Sequence, residues 1–491
     1  MSSRKEDFKC IAVDMGASSI RVMLGLIDEK GISYGEIHRI ANHIVESDGH
    51  DRWEMDRIAR EIKAGIKKAV DLSNDLPVSI GVDSWGVDFV LQDELGELVE
   101  PPIAYRDSRT EGMMEHWKSM MSEIETFERT GINFYIFNSL FQFLSIKDSE
   151  VIANTSRILF LPCYINYLIS GKAHNELTIS STSQMLSVVG EQWDSEILGK
   201  LKLDQILLGD VISPGTCLGP VTLREAKGSN MENVAVCGHD TACVVAAIPV
   251  ENPNYAFISA GTWCIVGLES DKPLVSQQAL QLGLTNERGY NHTYRTLKNI
   301  VGLWLLQGLK KHLPEDTSYA EMEEMTREGG TIMQVIDPDD PGFYNPEDMK
   351  SAFDAYLKKT GQPKPDNFNG YLLCAYDSLC FSFRYHVEKL EQLSERNIEV
   401  LHLVGGGSQS DYLNQRIATI CGRTVISGPV EGATLGNILI QAIAMGRIEH
   451  IQEGRELVRK SCLLKSYKPL EESDRTKQRY EKFLGLKDLP A

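Results

Sequence analysis

The sequence has little that would take it out of water. Its longest apolar stretch, Ile158 to Ile169, reaches about half of the ~20 residues that a membrane-spanning helix needs, and Pro162 and Asn166 interrupt it. The opening MSSRKEDFKC is polar and lacks the apolar segment of a secretion signal. Positive charge is also short. Fifty Lys and Arg stand against 69 Asp and Glu, a net charge of −19. A surface of that sign repels a phosphate backbone, so nucleic acid is not expected as a main partner. A small phosphate ligand stays open, because backbone N–H groups bind phosphate without cationic side chains. The ten cysteines contain no CxxC pair and read as buried thiols of a cytoplasmic protein. HExxH, PCxxC, GxSxG and GxxxxGK[ST] are all missing, which removes the familiar metalloprotease, zinc deaminase, α/β-hydrolase and P-loop sites. The eleven histidines are dispersed, and His38, His43 and His50 lack ligand spacing.

What remains is an ordinary globular composition, 42% hydrophobic and 24% charged, over 491 residues. That length accommodates two to four domains. Lys9–Val13 and Ile20–Ile27 read as strands around the small-residue turn Asp14–Ser19, a hairpin pattern. Ile58, Ile62, Ile66 and Val70 carry helical spacing over Asp56–Leu72. Pro77–Asp83 and Trp85–Leu91 read as two further strands, so the class is α/β. The hairpin pattern returns near the middle, with Ala256–Ser259, the turn Ala260–Trp263 and Cys264–Leu268. The repetition, about 245 residues on, suggests two related halves. Pro249 and Pro253 mark a boundary within Ala246–Asn254. A third turn, Gly405–Ser410, joins the strand Val400–Val404 to the helix Tyr412–Ile420, a layout that presents amides to phosphate or nucleotide. The charged stretch after Gly454 reads as a helical, solvated tail.

Four constellations are candidates for chemistry, each with a purely structural alternative. Asp14 and the loop Gly16–Ser19 suit a phosphate with a magnesium ion, since Mg²⁺ prefers oxygen ligands and keeps its waters. In Gly238-His239-Asp240-Thr241-Ala242, Asp240 is placed to accept a proton from a sugar hydroxyl; the alternative is a simple helix cap. In Asp83-Ser84-Trp85-Gly86-Val87-Asp88, Gly86 is expected to let a ligand approach closely, or else to bend a strand. Asn299 and Gln307, eight apart on the apolar segment Leu297–Leu309, are expected two helical turns apart on one face.

AVDMGASSIRVML, GVDSWGVDFVLQDELG, AYRDSRT, GHDTA, SAGTWCIVGLE, LKNIVGLWLLQ and VGGGSQSDYLNQ occur in that order. Together they resemble the FGGY family of carbohydrate kinases over essentially the whole chain, from Phe8 to Met445. The resemblance implies two ribonuclease-H-like (actin-like ATPase) lobes with a catalytic cleft. Residues 1–248 would form the N-terminal lobe, mainly sugar-binding. Residues 249–491 would form the C-terminal lobe, mainly ATP-binding, with a helical tail. DSWGVDFVL, AYRDSRT and KNIVGLWLLQ resemble those members that phosphorylate L-rhamnulose at O1 in L-rhamnose catabolism. A kinase for L-fuculose or L-xylulose, or a non-catalytic sugar sensor, is the alternative. By this likeness Asp240 matches the catalytic base. Gly86, His239, Asp240, Thr241 and Asn299 match sugar-binding positions. Ala17, Ser18, Ser19, Ile20, Arg21, Thr262, Gln307 and Gly406 match ATP-binding positions, and Asp14 the aspartate near Mg²⁺. The partners implied are L-rhamnulose and ATP, with no nucleic acid and no membrane, in a cytoplasmic monomer or homodimer. Three positions depart from the pattern. Ile20 replaces a usual Gly, and its exchange for Gly is expected to be tolerated. Arg288 replaces a Gly in NEGG, placing a long cation near the cleft region. Cys264 replaces a Ser after GTW.

Overall fold

The computed structural model describes residues 7–73 and 76–487. The chain forms two compact units. The first takes the residues up to Pro249 together with Glu269–Thr296 and Glu431–Cys462, and the second takes Val250–Leu268, Leu297–Val430 and the chain from Leu463.

In the first unit, β1 (Phe8–Met15), β2 (Ser19–Asp28), β3 (Gly31–Ala41), β4 (Ser79–Ser84), β5 (Thr216–Pro220) and β6 (Glu232–Ala235) form one sheet. Its order is β3-β2-β1-β4-β6-β5. The first three strands are antiparallel neighbours, β1, β4 and β6 run parallel, and β5 returns antiparallel at the edge. Both faces are covered, and the pleat explains how β1 serves both. Ile11, Val13 and Met15 enter one core, with Ile58, Ile62 and Ile66 of the helix Met55–Leu72. Cys10 and Ala12 enter the other, with Ile438 and Leu439 of the helix Gly432–Ala444. That helix lies directly on the helix Asp240–Ala246. A Cβ on Gly436 would stand 1.9 Å from the Cys243 carbonyl oxygen, so no side chain fits at 436.

The second unit repeats this plan with β7 (Tyr255–Ala260), β8 (Trp263–Ser270), β9 (Tyr294–Val301), β10 (Val400–Val404), β11 (Thr424–Ser427) and β12 (Lys465–Tyr467). These strands keep the order β9-β8-β7-β10-β11-β12, and the short strand Thr285–Arg288 adds a seventh beside β9. A hairpin is followed by two parallel pairings and an antiparallel edge strand. The two hairpins read from the sequence are thus equivalent elements of two sheets of like topology.

Three expectations change. The segment Trp85–Leu91 is not one strand: its strand is Phe89–Gln92, and Val87 has a positive φ of 69°. Asn299 and Gln307 do not share a helix. Asn299 lies on β9, the chain turns at Gly302, and Gln307 lies on the helix Trp304–Lys310. A Cβ at Gly302 would meet the Cys264 sulfur at 2.4 Å and the Gly261 carbonyl at 2.8 Å, so the turn is set by tertiary packing. The tail after Gly454 is helical over Ile451–Ser461 and Asp474–Lys487, but β12 between them joins the sheet. All ten cysteines are free thiols, eight of them buried. Among the described residues no helix is long and apolar enough to cross a membrane.

Candidate active site

In the first unit the ends of the parallel strands collect carboxylates. Asp14 and Asp83 are register partners on β1 and β4. Ser84 bridges to His239, and its N–H donates to the Gly238 carbonyl at 2.8 Å. This brings the turn that carries Asp240 to the same edge, where open α/β sheets bind ligands. Asp240 is the first residue of its helix, after His239 as cap. Its Oδ1 accepts from the Thr241 N–H and hydroxyl.

The three acids differ in their partners. Asp14 is buried and ion-paired with Arg21, which also pairs with Glu431. Burial and the charge of Asp240 push its pKa up to about 6, against the pull of Arg21. Asp83 is fully buried and accepts from Asn437 Nδ2 at 2.6 Å. Burial, then Asp14, raise its pKa well above the ordinary carboxylate range. Asp240 is the most open, with 31% of its side chain exposed, and its ion-pair neighbour is His239 Nε2 at 3.4 Å. It is therefore the most accessible acid of the three.

The loop between β1 and β2 is closed by backbone. Gly16 N–H donates to the Ser19 carbonyl at 3.1 Å, and Asn42 N–H to the Ser18 carbonyl at 3.0 Å. Ser18 is exposed, Ala17 and Ser19 partly so. Ile20 is fully buried across from Met15 in extended strand, so its side chain belongs to the core.

Gly86 faces Thr182. A Cβ there would lie 3.2 Å from the Thr182 side chain, whose hydroxyl accepts from Val87 N–H at 3.1 Å. The left-handed conformation of Val87 is costly for a β-branched residue. Its carbonyl is gripped by the Ser139 hydroxyl at 2.6 Å and Gln142 Nε2 at 3.3 Å. We expect Gly86→Val to push Thr182 aside, lowering stability by about 1–3 kcal/mol and raising the sugar KM. Steady-state kinetics beside a thermal melt separate the two effects, and an unchanged KM would remove Gly86 from the sugar side.

Asp88, two residues on, receives the indole N–H of Trp53 at 2.7 Å and of Trp85 at 2.9 Å. Burial outweighs these bonds and raises its pKa to about 6. A carboxyl raised in the folded state costs stability as pH climbs from about 4 to about 6, because the unfolded chain ionises first. Asp88→Asn keeps an acceptor and removes this loss, about 3 kcal/mol at pH 7. Urea midpoints at pH 4 and pH 7 should converge relative to the unmodified protein; an unaltered pH dependence would count against a raised Asp88.

In the second unit, Thr262 in the β7–β8 turn and Gln307 stand side by side, with Oγ1 and Nε2 3.3 Å apart. The carbonyls of Gly261 and Thr262 accept from the N–H groups of Leu303, Gly302 and Trp304 at 2.9–3.1 Å. Gly406 is exposed and would meet nothing with an added Cβ, while Gly407 packs on Ala260 at the end of β7. The loops after the adjacent parallel strands β7 and β10 thus meet, placing Thr262, Gln307 and Gly406 around one strand edge. Asn299 remains on β9, apart from Gln307 in the chain's local structure.

Sequence reasoning passed over several residues that hold this site. Glu176 is fully buried and accepts from Gly238 N–H at 2.8 Å, as well as from Thr178 and Ile179. It is the only Asp, Glu, Lys or Arg between Lys172 and Glu191, which is the signal that was there to find. Glu431 and Asn437 lie far along the chain and carried no local signal. Arg288 pairs with Glu191 at 3.2 Å and stacks on Tyr294 at 4.3 Å. Among the described residues no group of three or more His, Cys, Asp or Glu is arranged to hold a metal ion.

The comparisons cover both units. The N-terminal domain of the FGGY family of carbohydrate kinases matches residues 9–248, and its C-terminal domain matches residues 256–445. The chain is 38% identical over 471 residues to a rhamnulokinase of Bacteroides thetaiotaomicron, covering 95% of this chain and 96% of the relative. It is 37% identical to a rhamnulokinase of Enterococcus faecalis, covering 98% of each. In structure it resembles a gluconate kinase of Lactobacillus acidophilus, with TM-score 0.82, 14% identity and 98% and 97% coverage. A Plasmodium falciparum glycerol kinase with ADP gives TM-score 0.81 at 14% identity, covering 98% of this chain and 99% of that one. At that identity the likeness speaks for the fold alone.

Proposed function

The chain belongs to the FGGY family of carbohydrate kinases, and from that premise we propose that it transfers the γ-phosphoryl group of ATP to O1 of L-rhamnulose. The products are L-rhamnulose 1-phosphate and ADP, in the cytoplasmic breakdown of L-rhamnose. The observation that carries the reading of the chemistry is Asp240: an open carboxylate at a strand edge whose two acidic neighbours are already engaged by Arg21 and Asn437. The choice of ketose rests on the curated rhamnulokinases, at 35–38% identity over nearly the whole chain.

In-line phosphoryl transfer asks a protein for alignment and charge compensation rather than covalent chemistry. Asp240 accepts the O1 proton as the new P–O bond forms. Gly86, His239, Thr241 and Asn299 hold the sugar. The loop Ala17–Arg21 and the group Thr262, Gln307 and Gly406 hold the nucleotide, largely through backbone, with Ile20 contributing main chain only. A magnesium ion carried with ATP would supply neutralisation of the phosphate charge. Asp14 and Asp83 suit it as hard oxygen donors: they repel one another, and Asp83 Oδ1 is buried with no hydrogen-bond partner among the described residues.

A coupled ADP-release assay with Mg-ATP against L-rhamnulose, L-fuculose, L-xylulose, D-xylulose and glycerol tests this. A strong preference for L-rhamnulose supports it. Preference for another ketose would correct the substrate and keep the chemistry, and no sugar-dependent turnover at all would sink both.

A further inference from the structure

Beside the base lies a buried charged chain that no role has yet absorbed. Arg295 is fully buried; its Nη2 donates to Glu287 Oε2 at 2.8 Å and its Nε to the Arg288 carbonyl at 3.0 Å. The same Glu287 oxygen lies 2.9 Å from Nδ1 of His239. On the far side of that ring, Nε2 lies 3.4 Å from Asp240 Oδ1. The backbone of His239 is itself tied down, its N–H donating to the Thr178 hydroxyl at 3.2 Å. The ring therefore stands between two carboxylates, one deep and paired, the other open and proposed as the base.

We propose that Glu287 and Arg295 are positioning residues that fix His239 as the Nδ1–H tautomer. The inference rests on the reading of Asp240 as base and His239 as its sugar-side neighbour. An ionised carboxylate only accepts hydrogen bonds, so Glu287 selects the proton on Nδ1. Nε2 is then left with its lone pair. It takes a hydrogen bond from a sugar hydroxyl and donates none to Asp240, whose oxygen stays free to accept. The opposite tautomer would donate to Asp240 and weaken it as an acceptor. Arg295 keeps Glu287 ionised. Burial works against this, but the charge and hydrogen bond of Arg295, with the hydrogen bond from His239, hold the Glu287 carboxyl below its ordinary range. Arg295 is well suited to that place, because its guanidinium is always charged and it serves both the Glu287 carboxylate and a backbone carbonyl. Arg295 Nη2 also lies 3.1 Å from Nδ1 and could only donate to it, a contact that favours the opposite tautomer; the nearer Glu287 Oε2, at 2.9 Å, can only accept and decides for the proton on Nδ1.

The test combines spectroscopy with a mutant cycle on the full chain. In protein labelled with ¹⁵N-histidine, the His239 signal, assigned by its loss in His239→Gln, should show a protonated Nδ1 and an unprotonated Nε2. A proton on Nε2, alone or together with one on Nδ1, would overturn the proposal, and this readout needs no variant of Glu287 to fold. In kinetics, Glu287→Gln should lower kcat/KM for the sugar at least tenfold and leave the KM for ATP unchanged. In a His239→Gln background the same exchange should have no further effect on the sugar. A loss that persists there, or one shared equally with ATP, would make Glu287 merely structural and refute the role. The unmodified protein is assayed first. Failure on every ketose would strike the functional reading, while the tautomer would still decide the state of His239.

Discussion

Asp240→Asn is expected to lower kcat by about 10²–10⁴-fold, the usual worth of a general base. In barrier terms this is about 3–5 kcal/mol. Asparagine has the same shape and retains an oxygen for the Thr241 N–H and hydroxyl, which now bond to Oδ1 of Asp240. What it lacks is the ability to take a proton. The exchange also removes a negative charge that raises the pKa of both Asp14 and Asp83, so the fold should hold or gain slightly. ADP release at saturating sugar and ATP, read beside a thermal melt, checks both halves. A near-normal rate in a folded variant would take Asp240 out of the base role.

Ile20→Gly should cost about 3–5 kcal/mol of stability, the second large effect. The position departs from the family pattern, and from sequence alone the exchange looks harmless. The structure argues otherwise. Ile20 is fully buried, is paired with Met15 across the hairpin and with Ile40 on β3, and belongs to the core that includes Val22 and Trp53. Removing a buried isoleucine side chain leaves a cavity worth about 2–5 kcal/mol. A glycine inside a strand adds about 0.5–1 kcal/mol. Nothing is regained, because Ile20 is not among the residues of positive φ and the backbone needs no glycine there. In a protein built of units this large, the melting temperature should fall by roughly 6–20 °C. An unchanged melt would show that the side chain is not in the core.

The loops on either side of these residues illustrate what local sequence can carry. A strand, a small-residue turn and a second strand are local features, so both hairpins were legible, and so was the helix Met55–Leu72 from its apolar spacing. The ordered motifs carried the family and with it the two-lobed fold. Trp85–Leu91 misled because bulky apolar residues suggest a strand, whereas Val87 is held in a left-handed turn by Ser139, Gln142 and Thr182, residues distant in sequence. Asn299 and Gln307 misled for a related reason. An apolar run has no intrinsic period, and the turn at Gly302 is dictated by contact with Cys264 and Gly261.

The sequence by itself determined the strand and turn pattern, the acidic, cysteine-unpaired character of the chain, and the identity of Asp14 and Asp240 as acids to watch. These depend on residue type and near neighbours. The tertiary structure alone decided what each acid does. It set Asp14 against Arg21, Asp83 against Asn437 and His239 against Glu287, and left Asp240 open. Charge and burial act through space over a few ångströms, and the residues that supply them here lie up to several hundred positions away along the chain.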